Sequence, residues 1–427
     1  MKKSALQVRR EQVLGAGAEL FYQQPLHIVR GEGAYLYGVD DRRYVDMYNN
    51  VPCVGHGNPA VVEAMAQQQA TLNVHSRYLH EGIVSFAERL TGLQHDGIDS
   101  VIFSCSGTEA VDVGLEIARV ATGQQGIVCT NYTYHGNSIL VDQLSYLGRT
   151  DQQTGYIRAI PYPQMYRPLI HGASEQEIGN AYLQTVGDAI ASLQRSDAGF
   201  SALIMCSIFA NEGLPDIPRG FMRRAADMAR DAGGVVIADE VQAGYGRTGT
   251  WWGYDASDYI PDVIVSGKPM GNGLPLAATT ASKALIDAFR GNKDHFNTCA
   301  ASPLQAAVGL AVLDEIERGK LVENAGNVGA KLKSELDKRK EKYAFIGDVR
   351  GQGLFLVVEI IKDVATKAAD AARASQITNR LKDKGFLTCT DGAYNNVVKI
   401  RPPLVFSDQD ADEFLVAFDD VLGKINE

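Results

Sequence analysis

The sequence predicts an α/β protein with a large domain built on a mostly parallel, helix-covered sheet and a smaller α+β domain beside it. Three observations carry this expectation. Short β-branched runs alternate with helix-like stretches between Ser100 and Ser282, the pattern of a sheet whose parallel strands are joined by crossover helices. The runs are apolar almost throughout, as strands covered on both faces must be. At 427 residues the chain is longer than one hydrophobic core supports, so a second unit is expected.

In chain order the runs are VIFSCS (101–106), GIVCTN (126–131), ALIMCSIF (202–209), GVVIADE (234–240), DVIVSG (262–267) and LAATTAS (276–282). Residues 306–342 change pattern, with helical apolar spacing and charges on the opposite face, and read as a long helix or a helix pair. Beyond them DVRGQGLFLVVEI reads as a strand, RASQITNRLKDKG as a helix ended by Gly385, and NNVVKIRPPLVF as a strand stopped by its prolines. Near the N-terminus GAYLYGVDDRRYVDMYNN has the aromatic alternation and Asp-Asp turn of a hairpin that packs with the later domain. The expected division is an N-terminal segment over 1–50, a large domain over 51–304 and a C-terminal small domain over 305–427.

Composition narrows the function. With 41 Lys and Arg against 51 Asp and Glu the net charge is −10, which argues against a nucleic-acid or membrane-surface partner and favours a small molecule. Arg9, Arg10 and Glu11 interrupt the start before any apolar core of signal-peptide length, and no later run is long enough to span a bilayer, so a cytoplasmic protein is expected. Six scattered cysteines without C-x-x-C spacing suggest neither a metal site nor a disulfide framework.

Ligands of open α/β sheets bind outside the carboxyl ends of the strands, so the residues that follow the runs matter most. SGTEA (106–110) opens a helix, leaving the N–H groups of Gly107 and Thr108 free for a phosphate; a plain helix start with Ser106 as N-cap and Glu109 completing a capping box is the alternative. Tyr134, in YHG after the second run, offers a flat face for a heteroaromatic ring, and His135 a polar edge. Asp239 ends GVVIA, where a carboxylate can pair with a pyridinium nitrogen, and Gln242 three residues on can donate to the ring's phenolic oxygen. Lys268 follows the next strand in a turn flanked by Gly267, Pro269, Gly271 and Gly273; a lysine in a tight, partly apolar turn has a depressed pKa and attacks aldehydes.

The order of these features along one sheet, with YNNVPCVGH (48–56), HSRYLHEGIV (75–84), HFNTCAASP (295–303), GDVRGQGLF (347–355) and VVKIRPPL (397–404), makes the chain recognisable. It resembles the class III aminotransferases of pyridoxal-phosphate fold type I, in the branch of alanine–glyoxylate aminotransferase 2 and ethanolamine-phosphate phospho-lyase. The resemblance implies pyridoxal 5'-phosphate held as a Schiff base on Lys268, with Asp239 at the pyridinium nitrogen and Gly107 and Thr108 at the phosphate. It also implies a homodimer in which Thr298 reaches the phosphate in the neighbouring subunit.

The activity so implied is ping-pong transfer of an amino group from an amine or ω-amino compound to a small keto acid. Two departures bear on the substrate. Cys206 stands where many relatives have an acidic residue that pairs with an arginine, which favours pyruvate or glyoxylate over 2-oxoglutarate unless the nearby Glu212 substitutes. Lys399 stands where relatives often carry a carboxylate-binding arginine, which leaves Arg401 as the better clamp. A phospho-lyase acting on a phosphorylated amine is the alternative, and Arg77 is the obvious extra cation for it. Trp251, Trp252 and Tyr78 are candidates for the pocket wall, with core or interface packing the plainer reading of each.

Overall fold

The computed structural model describes residues 3–145 and 155–425. The first strands are β1 (Ile28–Glu32), β2 (Tyr35–Gly38) and β3 (Arg43–Asp46). They are followed by β4 (Ser100–Ser104), β5 (Ile127–Thr130), β6 (Ile157–Ile160), β7 (Ala202–Cys206), β8 (Val235–Asp239), β9 (Val263–Ser266) and β10 (Ala277–Ala281). The C-terminal strands are β11 (Ile346–Gln352), β12 (Phe355–Asp363), β13 (Ala368–Ala369), β14 (Phe386–Leu387), β15 (Cys389–Asp391) and β16 (Val397–Ile400).

Strands β4 to β10 form one seven-stranded sheet in the order β4-β10-β9-β8-β7-β5-β6. All six apolar runs are strands of it. Alternate residues serve two cores: Val236 and Ala238 pack on one face, Val235 and Ile237 on the other, which is why the runs carry no polar side. Two features depart from the sequence reading. Strand β6 is additional, and β10 runs antiparallel to both β4 and β9 rather than parallel. The direction of β10 follows from its connection, because residues 267–276 are too short for the crossover a parallel neighbour needs.

Residues 306–342 fall in a helix pair, Pro303–Arg318 and Leu321–Lys342. The segment DVRGQGLFLVVEI is not one strand but two, β11 and β12, paired antiparallel around Gly353, whose φ of +56° suits a residue without a side chain. β12 pairs with β16 and β16 with β15. The N-terminal hairpin forms as β2 and β3, and β3 extends it by pairing with β14, so the two ends of the chain share a sheet. The backbone N–H of Arg401 donates to Met47 O at 2.7 Å, which fixes the exit of β16 against the N-terminal segment. Among the described residues no helix is long and apolar enough to cross a membrane.

Candidate active site

The carboxyl ends of β4, β5, β7, β8 and β9 meet at one edge of the large sheet, around a cleft. Gly107, Thr108, Tyr134, His135, Asp239, Gln242 and Lys268 all line it, so seven residues singled out in the sequence converge.

One end of the cleft is the start of the helix Gly107–Thr122. Ser106 caps it by accepting from Glu109 N at 3.2 Å. Glu109 does not close a capping box: its carboxylate accepts from Cys105 N at 2.8 Å instead. The first-turn N–H groups of Gly107 and Thr108 have no intrahelical acceptor and add the positive end of the helix dipole. Space here is tight. A Cβ on Gly136 would stand 2.6 Å from Thr108 Oγ1, and one on Gly107 would stand 3.0 Å from Val241. Only a bare backbone lets the loops after β4, β5 and β8 approach one another this closely.

Asp239, at the end of β8, is 5% exposed. Its Oδ1 accepts from Val241 N at 3.0 Å and its Oδ2 lies 2.7 Å from His135 Nδ1. The buried His135 therefore grips Asp239 while it lines the cleft, and Tyr134, about one third exposed, stands at the cleft wall. Lys268 opens a short 3₁₀ turn just past β9. Burial pulls its ammonium pKa below the ordinary value, Asp239 opposes this and Arg401 adds to it. A lysine so placed is a better nucleophile near neutral pH.

Two buried cations near β16, Arg401 and Lys399, lie close enough to Lys268 for their charges to repel it, but they are not among the residues that line the cleft. Arg401 is buried; its Nε donates to Tyr48 O at 3.0 Å and its Nη1 to Gln242 Oε1. The Gln242 amide in turn donates to Asn211 Oδ1 at 3.3 Å. Gln242 thus links Arg401 and Asn211, and its second amide N–H is not taken up by that link. Buried Lys399 makes an ion pair with Asp391. Glu212 does not stand in for the missing acid at Cys206, since its carboxylate accepts from Thr130 at 2.8 Å and pairs with no arginine among the described residues.

Several singled-out residues lie elsewhere. Thr298 is exposed and outside the lining of its own chain's cleft. Arg77 sits over the Phe296 ring at 4.1 Å, and Tyr78 is exposed beside His75. Trp252 is core, stacked with Tyr254, and half-buried Trp251 packs against the same core. Asn211 and Val241 line the cleft and went unnoticed, because an Asn or Val just past a strand carries no chemical signature in sequence.

Comparison with known proteins agrees with this geometry. Residues 19–422 match the family model for aminotransferase class-III, and the chain belongs to that family. Its fold is that of the type I pyridoxal-phosphate transaminases, and it is an enzyme dependent on that cofactor. It is 35% identical to a Drosophila melanogaster protein called alanine–glyoxylate aminotransferase 2-like, over 97% of this chain and 86% of that one. It is 31% identical to ethanolamine-phosphate phospho-lyase homolog 1 of Caenorhabditis elegans, over 99% and 94%. A solved phospholyase from Arthrobacter, in complex with phosphoethanolamine, superposes with a TM-score of 0.94 at 36% identity, covering 98% of this chain and 99% of that one.

Proposed function

We propose that the chain transfers an amino group from a small primary amine with an anionic far end to pyruvate or glyoxylate. The convergence of Lys268, the Asp239–His135 couple and the helix start at Gly107 on one cleft carries this reading. The residues fit pyridoxal phosphate: a pinched backbone cradle for its phosphate, a braced carboxylate for its ring nitrogen and a lysine for its aldehyde. When bound, the cofactor supplies that aldehyde and an electron-withdrawing ring. Lys268 Nζ, whose pKa burial lowers, would take up the proton released from the substrate carbon next to nitrogen. Tyr134 covers the ring face, and Arg401 with Lys399 attracts the anionic end of the substrate. Cys206, in place of an acid, favours the small keto acids over 2-oxoglutarate.

The catalytic unit in this reading is a homodimer in which Thr298 reaches the partner's cofactor phosphate. Its exposure and its distance from its own cleft support that role.

A second reading, loss of phosphate from a phosphorylated amine, is supported by the two neighbouring buried cations Arg401 and Lys399 and by the similarity to the Arthrobacter phospholyase. Incubation with ethanolamine phosphate and pyruvate separates the two. Alanine formation in step with amine loss supports transfer; inorganic phosphate release without alanine selects the lyase. Lys268→Ala is expected to abolish both, and unchanged turnover in that variant would refute the assignment of Lys268.

A further inference from the structure

Arg247 is a buried arginine outside the lining of the cleft. It is 2% exposed and sits in residues 240–252, the loop that leaves β8 after Asp239 and carries Gln242. Its Nη1 donates twice, to Leu354 O at 3.0 Å in the turn between β11 and β12 and to Pro402 O, the residue after Arg401. Its own carbonyl accepts from Leu354 N at 3.0 Å, so loop and turn are tied in both directions. The approach is close: a Cβ on Gly353 would stand 2.4 Å from Arg247 O.

The segment past β16 has few ties of its own. Pro402 and Pro403 carry no N–H, so the next backbone donor after Arg401 is Leu404, which reaches Cys53 O at 2.8 Å. Before them, the Arg401 N–H donates to Met47 O at 2.7 Å. Pro402 O lies between these two ties, and Arg247 is its donor. The same loop also takes the other end of Arg401, because Gln242 Oε1 accepts from the Arg401 guanidinium. One loop therefore grips Arg401 twice, by the side chain through Gln242 and by the adjoining peptide through Arg247. A guanidinium suits the second grip, since its donors lie in a fixed plane and it keeps its charge when buried. Burial and the charge of Arg401 pull Arg247 down to about 9, which leaves it charged at neutral pH.

We propose that Arg247 is a positioning residue for the anionic end of the substrate: by holding Pro402 O from the loop that supplies Gln242, it fixes where Arg401 stands relative to Lys268. The inference rests on the role given to Arg401 above. Asp239 and Lys268 do not depend on this tie, because β8 and β9 pair with each other directly. Loss of Arg247 therefore weakens the grip on an anion and spares the proton transfer.

The test follows the cofactor absorbance of the loaded enzyme during titration with ethanolamine phosphate and with ethanolamine, two amines that differ in the anionic end. The maximal rate of ethanolamine phosphate consumption is measured alongside. Arg247→Met is expected to raise the half-saturating concentration of ethanolamine phosphate at least about tenfold, within the roughly 100-fold that a misplacement of about 1 Å can cost. The value for ethanolamine and the maximal rate should each stay within about threefold, since neither uses the anion's contacts. Arg247→Lys, which keeps a donor for Pro402 O, should recover most of the loss, and adding Arg247→Met to Arg401→Met should cost little more than Arg401→Met alone. Equal shifts for the two amines in folded Arg247→Met, or no shift, overturn the positioning role. Should that variant not fold, Arg247→Gln is judged by the same comparison. If Arg401→Met shifts both amines alike, the reading of Arg401 as the clamp fails and takes this inference with it. A selective shift in Arg401→Met beside an unselective one in Arg247→Met overturns this inference alone.

Discussion

Arg350 and Arg401 are both buried in the C-terminal part of the chain, yet their surroundings are opposite. Arg350, in β11, contacts Glu359 at 2.6 Å and Asp348 at 3.1 Å and donates to the carbonyls of Gly213 and Leu214. Arg401, just past β16, donates to the Tyr48 carbonyl and the Gln242 amide, lies 5.0 and 5.2 Å from the Tyr48 and Phe355 ring centres, and has no carboxylate partner among the described residues. Burial works against the charge of both. In Arg350, Glu359 and Asp348 outweigh it and the pKa rises; in Arg401 burial prevails and the pKa falls. A buried arginine inside a complete acid shell is scaffold. One that faces only neutral acceptors leaves a charge for a ligand to balance.

The largest effect that would break this contrast is on stability. Arg350→Met takes the buried cation from Glu359, which keeps Arg167, and from Asp348, which keeps Lys340, and is expected to cost about 3 kcal/mol in denaturant unfolding of the cofactor-free protein. Arg401→Met, which removes an uncompensated charge, should change stability by less than about 1 kcal/mol. Equal losses would mean that Arg401 is scaffold too.

The next effect is on substrate. Arg401→Met should lower kcat/KM for an anionic amine by roughly 10- to 150-fold, the worth of about 1.5–3 kcal/mol for a hydrogen bond to a charged group. An uncharged amine of similar size should lose little.

The smallest effect sharpens the contrast through pH. Despite its ion pair with Asp391, burial and the repulsion of Arg401 pull Lys399 down to about 7. Lys399 is then charged below that pH and neutral above it, so affinity for an anionic amine should fall several-fold as pH rises through 7, a step that Lys399→Met removes. Because the folded protein binds fewer protons than the unfolded chain between about 7 and 10.5, this group makes stability rise with pH across that window. A flat affinity profile in the wild type would mean that Asp391 keeps Lys399 charged.

The fold was legible where patterning is local. Six of the seven strands of the large sheet are continuous apolar runs, and their order put Lys268, Asp239, Tyr134 and Gly107 on one cleft. β6 escaped because its four residues, IRAI, carry an arginine and too few apolar side chains to stand out. The direction of β10 escaped because composition does not encode polarity along a sheet. The link from Arg401 through Gln242 to Asn211 was invisible for a different reason: Arg401 and Gln242 are 159 residues apart, and only tertiary packing makes them partners. Glu212 reads in sequence as a stand-in for the acid absent at Cys206, whereas its hydrogen bond comes from Thr130, 82 residues away, which only the fold brings near.

The antiparallel placement of β10 has a consequence for how the site assembles. β9 and β10 are joined by the ten residues 267–276, the shortest connection between neighbours in the large sheet, and Lys268 is the second of them. Closing so short a loop costs less chain entropy than the long excursions that bring β7 beside β5 or β4 beside β10. Lys268 therefore belongs to a local hairpin unit, while Asp239 and the helix start at Gly107 reach it through long-range pairing. In refolding, amide protection around β9 and β10 should precede cofactor capture, which must wait for the rest of the sheet to close.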